Sequence, residues 1–170
     1  TEITDDRIII EAADEQPDEF VPIDVPEDAS KLDMVKAAGV VGMGGAGFPT
    51  GVKLNINLAE TPMGEINPEI NPELPKDFSI DCGYILINAA ECEPGLEHNT
   101  QQIETQTDKV IRGIKYCMEI THAEKTIIAI KKKHHKAIKA LQKALEKESA
   151  ITMHLLPDIY PMGEERAVVR

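Results

Sequence analysis

Residues 39–54 contain the residue types best suited to binding a phosphate group. Six of the chain's eleven glycines lie in this stretch, and Lys53 follows them. Because glycine has no side chain, its backbone can approach a ligand closely, and successive free N–H groups can form a concave anion site. Lys53 would neutralise charge on the bound group. The stretch therefore predicts a phosphate-bearing ligand, and the alternative is a set of structural turns.

The glycines also fit the spacing Gly-x-Gly-x-x-Gly, at Gly42, Gly44 and Gly47. In dinucleotide-binding proteins that spacing comes directly after a strand. Here the residues before Gly42 have a helical pattern, so the spacing alone is a weak signal. Phe48 and Pro49 stiffen the stretch, which a flexible linker would not require. We therefore favour a ligand-binding loop over a linker.

A second set of polar side chains follows an apolar run that ends at Asn88. Glu91 and Glu93 come directly after it. In open α/β sheets ligands bind just past the carboxyl ends of the strands, which would place these groups where chemistry is expected. The alternative is a turn with solvated carboxylates.

The histidines and cysteines give weaker signals. His134 and His135 have no carboxylate or cysteine at metal-ligand spacing, so we expect a solvated helix end there. The three cysteines, Cys82, Cys92 and Cys117, are odd in number and form no Cys-x-x-Cys pair, so neither a disulfide framework nor a metal site is predicted. Reduced thiols are typical of a cytoplasmic protein.

The composition limits the function further. A chain of 170 residues that is 42% hydrophobic is long enough for one domain with a core. Its net charge of −12 opposes binding to nucleic acid, and no apolar run reaches the roughly 20 residues of a membrane helix. Residues 1–29 are acidic and contain prolines, which predicts a solvated tail or a linker, with a short strand at 7–10. The chain begins with Thr1 rather than Met, and we expect a domain, residues 30–170, of a longer protein.

The pattern of apolar residues predicts alternating strands and helices in this domain. Ser30 is a plausible helix N-cap, and Gly39 a stop. Residues 62–75 are rich in proline, which excludes helix and central strand and predicts a surface excursion or, equally, a lid over a ligand. The later elements are a strand from Cys82 to Asn88 buried on both faces, a helix at 99–121, a strand at 126–130, a helix at 131–147 and a strand at 151–155. The order βαβαβ predicts a parallel sheet, and hence an α/β, Rossmann-like fold.

Three motifs in this order resemble a known family. Gly42-Met-Gly-Gly-Ala-Gly-Phe-Pro-Thr-Gly-Val-Lys is similar to the flavin-binding loop of the NADH-binding flavoprotein subunit of complex I and of its relatives, the RnfC family. Ile85-Leu-Ile-Asn-Ala-Ala-Glu-Cys-Glu-Pro resembles the second RnfC pattern, and Tyr160-Pro-Met-Gly-Glu-Glu-Arg resembles the third. Together the motifs span residues 39–170.

The resemblance implies an FMN- and NADH-binding domain of an electron-transfer protein. Iron–sulfur clusters are implied only for a C-terminal part beyond this chain, and the implied partners are a nicotinamide nucleotide and other electron-transfer subunits or a reductase. The chain would lie in the cytoplasm or peripherally on the cytoplasmic face of a membrane, without inserting. The implied cofactor-binding residues are Gly42, Gly44, Gly45, Gly47 and Lys53 for the FMN phosphate and ribityl chain, Asn88 and Glu91 for the flavin, Phe48 for the nucleotide, and Glu93, Glu164 and Glu165 towards the nicotinamide.

Two other functions stay open. Ala90 stands where the complex I pattern has an acidic residue, and Leu54 or Ile56 where it has an aromatic residue. These departures favour a degenerate domain that serves as a scaffold for partner subunits. A sugar or nucleotide binder without redox chemistry is the third hypothesis. No base, nucleophile or metal ligand set in the sequence indicates an independent hydrolase or transferase.

Overall fold

The computed structural model describes residues 11–15, 19–20, 22–42, 47–59, 83–93 and 95–169. The predicted strand at 7–10 and the proline-rich residues 62–75 lie outside this part. The described elements, in chain order, are α1 (Lys31–Ala37), α2 (Thr50–Lys53), β1 (Tyr84–Asn88), α3 (His98–Thr121), β2 (Lys125–Lys131), α4 (His135–Leu145), β3 (Ile151–Leu156) and α5 (Glu165–Val169).

The three strands form one parallel sheet in the order β1-β2-β3. Ile87 pairs with Ile128, and Ile128 pairs with Met153, so the strands run in register across the sheet. Each connection is a helix, α3 between β1 and β2 and α4 between β2 and β3. The predicted βαβαβ order and the α/β class are confirmed.

The core lies between one face of the sheet and helices α3 and α4. Consecutive right-handed crossovers that proceed in one direction place their helices on the same face of a sheet. The buried residues of this cluster come from both helices, from β2 and β3, and from the position directly after β1: Ala89, Ile103, Ile111, Ile114, Ile128, Ile130, Ala137, Ile138, Leu141 and Ile151. The apolar residues of the two helices therefore face the core.

The prediction that β1 is buried on both faces is wrong. Its side chains alternate, with Tyr84 and Leu86 exposed and Ile85 and Ile87 half-buried. The strand pairs only with β2 among the described residues. The two crossover helices cover the face of the sheet that carries Ile87, and not the face that carries Tyr84 and Leu86. A continuous apolar run is thus compatible with an edge strand covered on one side.

On the other face of the sheet, near the carboxyl ends of the strands, residues close to the C-terminus pack against the sheet. Ala90, Ala129 and Leu156 form a small buried cluster, against which Met162 and Val168 pack. This packing brings the third sequence motif onto the ends of the strands.

The start of α4 differs from the sequence prediction, and α3 contains a kink. Helix α4 begins at His135, because Lys131 is the last residue of β2 and a tight turn follows it. Helix α3 is kinked at Gln106, where the Thr105 and Thr107 hydroxyls donate to the carbonyls of Gln101 and Ile103. Such bonds to the carbonyl four residues earlier are known to bend helices.

Helix α1 is capped as predicted. The Ser30 hydroxyl accepts a hydrogen bond from the backbone N–H of Asp33 at 3.1 Å, and Gly39 follows the helix with φ +62°. No helix in the described part of the chain is long and apolar enough to cross a membrane.

Candidate functional site

The loop that follows β1 is tied to the third motif through Asn88. Its side-chain oxygen accepts from the backbone N–H of Ala90 at 3.1 Å, and its Nδ2 donates to the carbonyl of Gly163 at 2.8 Å. A single amide side chain thus holds both its own turn and the segment 75 residues later. The second and third motifs, distant in sequence, meet at the carboxyl end of β1.

Gly163 is pressed against the same loop. Its N–H lies 2.7 Å from the sulfur of Cys92. A Cβ added to Gly163 would lie 2.5 Å from the carbonyl oxygen of Ala90 and 2.6 Å from the Cys92 sulfur. Contacts that short do not occur between real side chains and backbone, so this position requires glycine. The close approach explains why a glycine stands between Met162 and Glu164.

Glu91 is a buried carboxylate that caps a helix. One of its oxygens accepts from the N–H groups of Asn99 and Thr100, at 2.6 and 3.2 Å, and the other accepts from Asn99 Nδ2 at 3.3 Å. Residue Glu97 occupies the N-cap position of α3 but makes no capping bond with its side chain. Glu91 therefore satisfies the N–H groups of the second and third residues of α3 and interacts favourably with the positive end of the helix.

The other three predicted carboxylates lie near the contact between the loop after β1 and the segment around Gly163. Glu93 and Glu164 are exposed, and Glu165 is the first residue of α5. A Glu164 oxygen accepts from the N–H of Ala167 at 3.1 Å and so caps α5. The structure thus places all three at the carboxyl ends of the strands or on the segment that packs there.

The glycine-rich loop is closed at its neck by backbone pairing. Gly42 donates to the Phe48 carbonyl at 2.9 Å, Thr50 donates to the Val40 carbonyl at 2.9 Å, and Val41 forms an isolated bridge with Pro49. Gly47 has φ +67°, a backbone conformation that favours glycine. Gly44 and Gly45 lie outside the described residues. The described ends of the loop are therefore held together by backbone hydrogen bonds, unlike the ends of an extended linker.

Lys53 and Phe48 stand together beside this neck. The Lys53 ammonium lies 5.9 Å from the centre of the exposed Phe48 ring, at the edge of cation–π range. No hydrogen bond or ion pair among the described residues joins Lys53 or Phe48 to Asn88, Glu91 or the segment around Gly163. The structure therefore brings the second and third motifs together by direct contact, while the described residues of the first motif make no such hydrogen bond or ion pair with them.

A cleft of about 350 Å³ opens where the strands end. The loop after β1 forms one wall, the end of β2 the other, and Asp158 to Tyr160 a third side. Asp158 lies 3.1 Å from Lys133 and 3.7 Å from Lys131. The hydrogen bond from Lys133, followed by the charges of both lysines, holds the pKa of the Asp158 carboxyl below its usual range.

His134 also lines this cleft, which corrects the sequence interpretation. It was expected at a solvated helix end, but only 8% of its surface is exposed. His134 lies in the turn between β2 and α4, where its backbone N–H donates to the Lys131 carbonyl at 3.1 Å. His135, in contrast, is exposed. In the described part of the chain, no three His, Cys, Asp or Glu side chains are arranged to hold a metal ion.

Several residues of this region were not singled out from the sequence. Cys92 and Gly163 stand inside the second and third motifs, so the motif letters were a signal that could have identified them. Lys131 carried no such signal, because the sequence placed it in a helix rather than at the end of a strand. Asp158 is far from Lys131 and Lys133 in the sequence, and only the folded structure brings these side chains together.

Comparisons with known proteins agree with this architecture. The sequence model of the Nuo51 FMN-binding domain matches residues 35–170. The chain is 40% identical over 131 residues to cobalamin reductase PduS of Citrobacter freundii, covering 77% of this chain and 23% of that protein. It is 36% identical over 146 residues to a subunit of the Na(+)-translocating ferredoxin:NAD(+) oxidoreductase complex of Acetobacterium woodii, covering 86% of this chain and 28% of that protein.

A solved structure shares the fold. The chain matches a crystal structure of an NAD+-reducing [NiFe]-hydrogenase in the air-oxidized state with a TM-score of 0.60 and 24% identity, over 82% of this chain and 22% of that one. The chain therefore spans only about a quarter of the length of these relatives. The family match covers all three motifs and confirms the resemblance found in the sequence: the chain belongs to the Nuo51 FMN-binding domain family.

Proposed function

We propose that this chain binds FMN and NADH and forms the entry point of an electron-transfer protein. FMN, when bound, supplies a ring that takes a hydride and releases single electrons. The observation that carries the proposal is the family match over residues 35–170, which includes the glycine-rich loop and the joint between Asn88 and Gly163. The chain's own task is to hold, orient and shield these two ligands.

The residues of the first motif suit the phosphate end of FMN. The phosphate is a dianion that needs N–H donors and a cation, and a glycine-rich turn followed by Lys53 provides both. Gly42, Gly44, Gly45 and Gly47 would line the phosphate and ribityl chain. The left-handed Gly47 and the closed neck support a defined loop rather than a linker.

The residues of the second and third motifs suit the ring end. Asn88 and Glu91 would form the floor beneath the flavin, and their bonds to Gly163 and to the start of α3 support a rigid floor. Phe48 is exposed and would flank the nucleotide. Glu93, Glu164 and Glu165 would face the nicotinamide end.

The electrons would leave through parts of a longer protein. Relatives include a subunit of a ferredoxin:NAD(+) oxidoreductase complex and a cobalamin reductase, and this chain spans about a quarter of their length. We propose iron–sulfur clusters in a C-terminal part beyond this chain, other electron-transfer subunits or a reductase as partners, and a cytoplasmic or peripheral location.

A scaffold without redox chemistry is the second candidate. It is favoured by Glu91, whose two oxygens already accept hydrogen bonds from Asn99 and Thr100. Ala90, at the position where the complex I pattern is acidic, is buried against Ala129 and Leu156. In that case the second motif would serve the fold alone, and FMN would not bind.

Replacing Lys53 by Ala tests the phosphate assignment. We expect FMN binding to weaken by about 1–3 kcal/mol, since the variant loses a charged hydrogen bond to the phosphate. Flavin fluorescence during an FMN titration measures the change. Lys139→Ala, which removes an exposed lysine from α4, is the matched control and should bind FMN like the parent chain. Equal affinity of the Lys53 variant and the control would refute the assignment.

A further inference from the structure

The cleft at the ends of the strands has a basic side that the proposed flavin and nicotinamide residues do not use. Lys131, Lys133 and His134 line it from the end of β2 and the turn before α4. The opposite wall carries the exposed carboxylates of Glu93 and Glu97. An anion in this cleft would therefore be confined to the β2 side.

Lys131 is buried to an extent that is unusual for a lysine. Only 4% of its surface is exposed, and its ammonium lies 3.7 Å from the Asp158 carboxylate, beyond direct hydrogen-bond range. Buried lysines almost always have a close partner. One loosely placed carboxylate, shared with Lys133, leaves the ammonium with donors to spare.

His134 supplies an independent observation. Its Nε2 is buried and has no hydrogen-bond partner among the described residues, and His134 is one of the residues that line the cleft. A buried polar nitrogen without a partner is costly, and such groups in native proteins usually meet a ligand, an ion or water. The imidazole Nε2 can carry a proton and donate it in a hydrogen bond.

The start of α4 adds positive charge to this side of the cleft. The helix has 11 residues, and His134 at its N-cap position makes no capping bond with its side chain. A helix N-terminus carries partial positive charge and unpaired N–H groups, which favour an anion nearby. Two lysines, an unpartnered imidazole and a helix start thus point to the same kind of ligand.

In the structure, the Asp158 carboxylate lies where such an anion would bind, next to the two lysines. Its carboxylate is held by Lys133 at 3.1 Å and by Lys131 at 3.7 Å, and these contacts lower the pKa of the Asp158 carboxyl. Asp158 is partly exposed and belongs to the segment that leads to Tyr160. It can therefore move away from the lysines when a stronger anion arrives.

We propose that this side of the cleft is a phosphate-binding site, formed by Lys131, Lys133 and His134, in which Asp158 is the carboxylate that the phosphate displaces. A phosphate carries more charge and more acceptor oxygens than one carboxylate, so it can engage both lysines and the imidazole together. The phosphate can be free inorganic phosphate or a phosphate group of a nucleotide. Since the site is built from residues outside the first motif, the inference does not depend on the proposed flavin site.

A titration with inorganic phosphate, followed by NMR of the histidine side chains, tests the site. We expect saturable shifts of the His134 imidazole signals. Lys133→Gln should weaken phosphate binding about tenfold, because a charged hydrogen bond is lost. Asp158→Asn should strengthen it about two- to fivefold, since the competing carboxylate is gone. Lys132→Gln, an exposed neighbour that does not line the cleft, should leave it unchanged.

The Asp158 variant separates this site from a purely structural ion pair. If the lysines serve only to hold Asp158, phosphate will not shift the His134 signals in either the parent chain or Asp158→Asn, and the proposal is overturned. Equal weakening in Lys132→Gln and Lys133→Gln would also overturn it, because it would indicate nonspecific attraction to a basic surface.

A second titration with FMN present identifies the source of the phosphate. Competition between FMN and inorganic phosphate would assign the site to the flavin phosphate, and simultaneous binding would assign it to free phosphate or to another nucleotide. Failure of FMN to bind would remove the proposed function but leave the phosphate result standing. The two proposals therefore fail independently.

Discussion

Replacing Gly163 by Ala should lower the free energy of unfolding by about 1–3 kcal/mol, the cost of inserting an atom into a packed site. The new Cβ would lie 2.5 Å from the Ala90 carbonyl oxygen and 2.6 Å from the Cys92 sulfur. Relief requires the segment to move away, which would break the bonds from Asn88 Nδ2 and to the Cys92 sulfur. Urea denaturation of the variant and the parent chain measures the difference.

The same substitution at Gly113 is the control. Gly113 lies within α3, and a Cβ there would meet nothing within 4 Å. Because alanine favours helix over glycine, we expect a gain of about 0.5–1 kcal/mol at this position. A loss at Gly163 and a gain at Gly113 would establish the close contact between the second and third motifs. Equal stability of the Gly163 variant and the parent chain would show that this contact is not rigid.

Replacing Glu91 by Ala should also cost about 1–3 kcal/mol of unfolding free energy, the range for charged hydrogen bonds and unsatisfied buried groups. The variant would leave the N–H groups of Asn99 and Thr100 without their acceptor at the start of α3. Thr100 is buried, so water cannot easily replace the carboxylate. Thermal and urea denaturation both report the loss.

Two variants show whether the cap is the cause. Glu91→Gln keeps an oxygen that can accept from the N–H groups, so it should recover part of the loss. Glu93→Ala removes an exposed carboxylate two residues away and should change the stability by less than about 0.5 kcal/mol. If Glu91→Ala matched Glu93→Ala in stability, the capping role assigned to Glu91 would be wrong.

The fold could be predicted largely from the sequence because its signals are local. The apolar run at 126–130 and the helical spacing of Ile103, Ile111 and Ile114 each identify an element by its own residues. Once three strands alternate with two helices, a parallel sheet follows from crossover geometry. The exposure of β1 could not be predicted, since it depends on which face the crossover helices cover.

The site was only partly predictable, because its contacts join distant residues. The motif letters singled out Asn88 and Glu91 as candidates, but they did not indicate that Asn88 holds Gly163 or that Glu91 caps α3. Misplacing Lys131 in a helix also hid the basic side of the cleft. A strand end that is rich in lysine has the same local composition as the first turn of a basic helix, and only the sheet register distinguishes them.

Titration of FMN into the full chain, followed by anaerobic addition of NADH, tests the proposed function most directly. We expect saturable FMN binding, weakened in Lys53→Ala but not in Lys139→Ala, and bleaching of the bound flavin when NADH transfers its hydride. Absence of FMN binding by a chain that folds would contradict the proposed function and favour the scaffold.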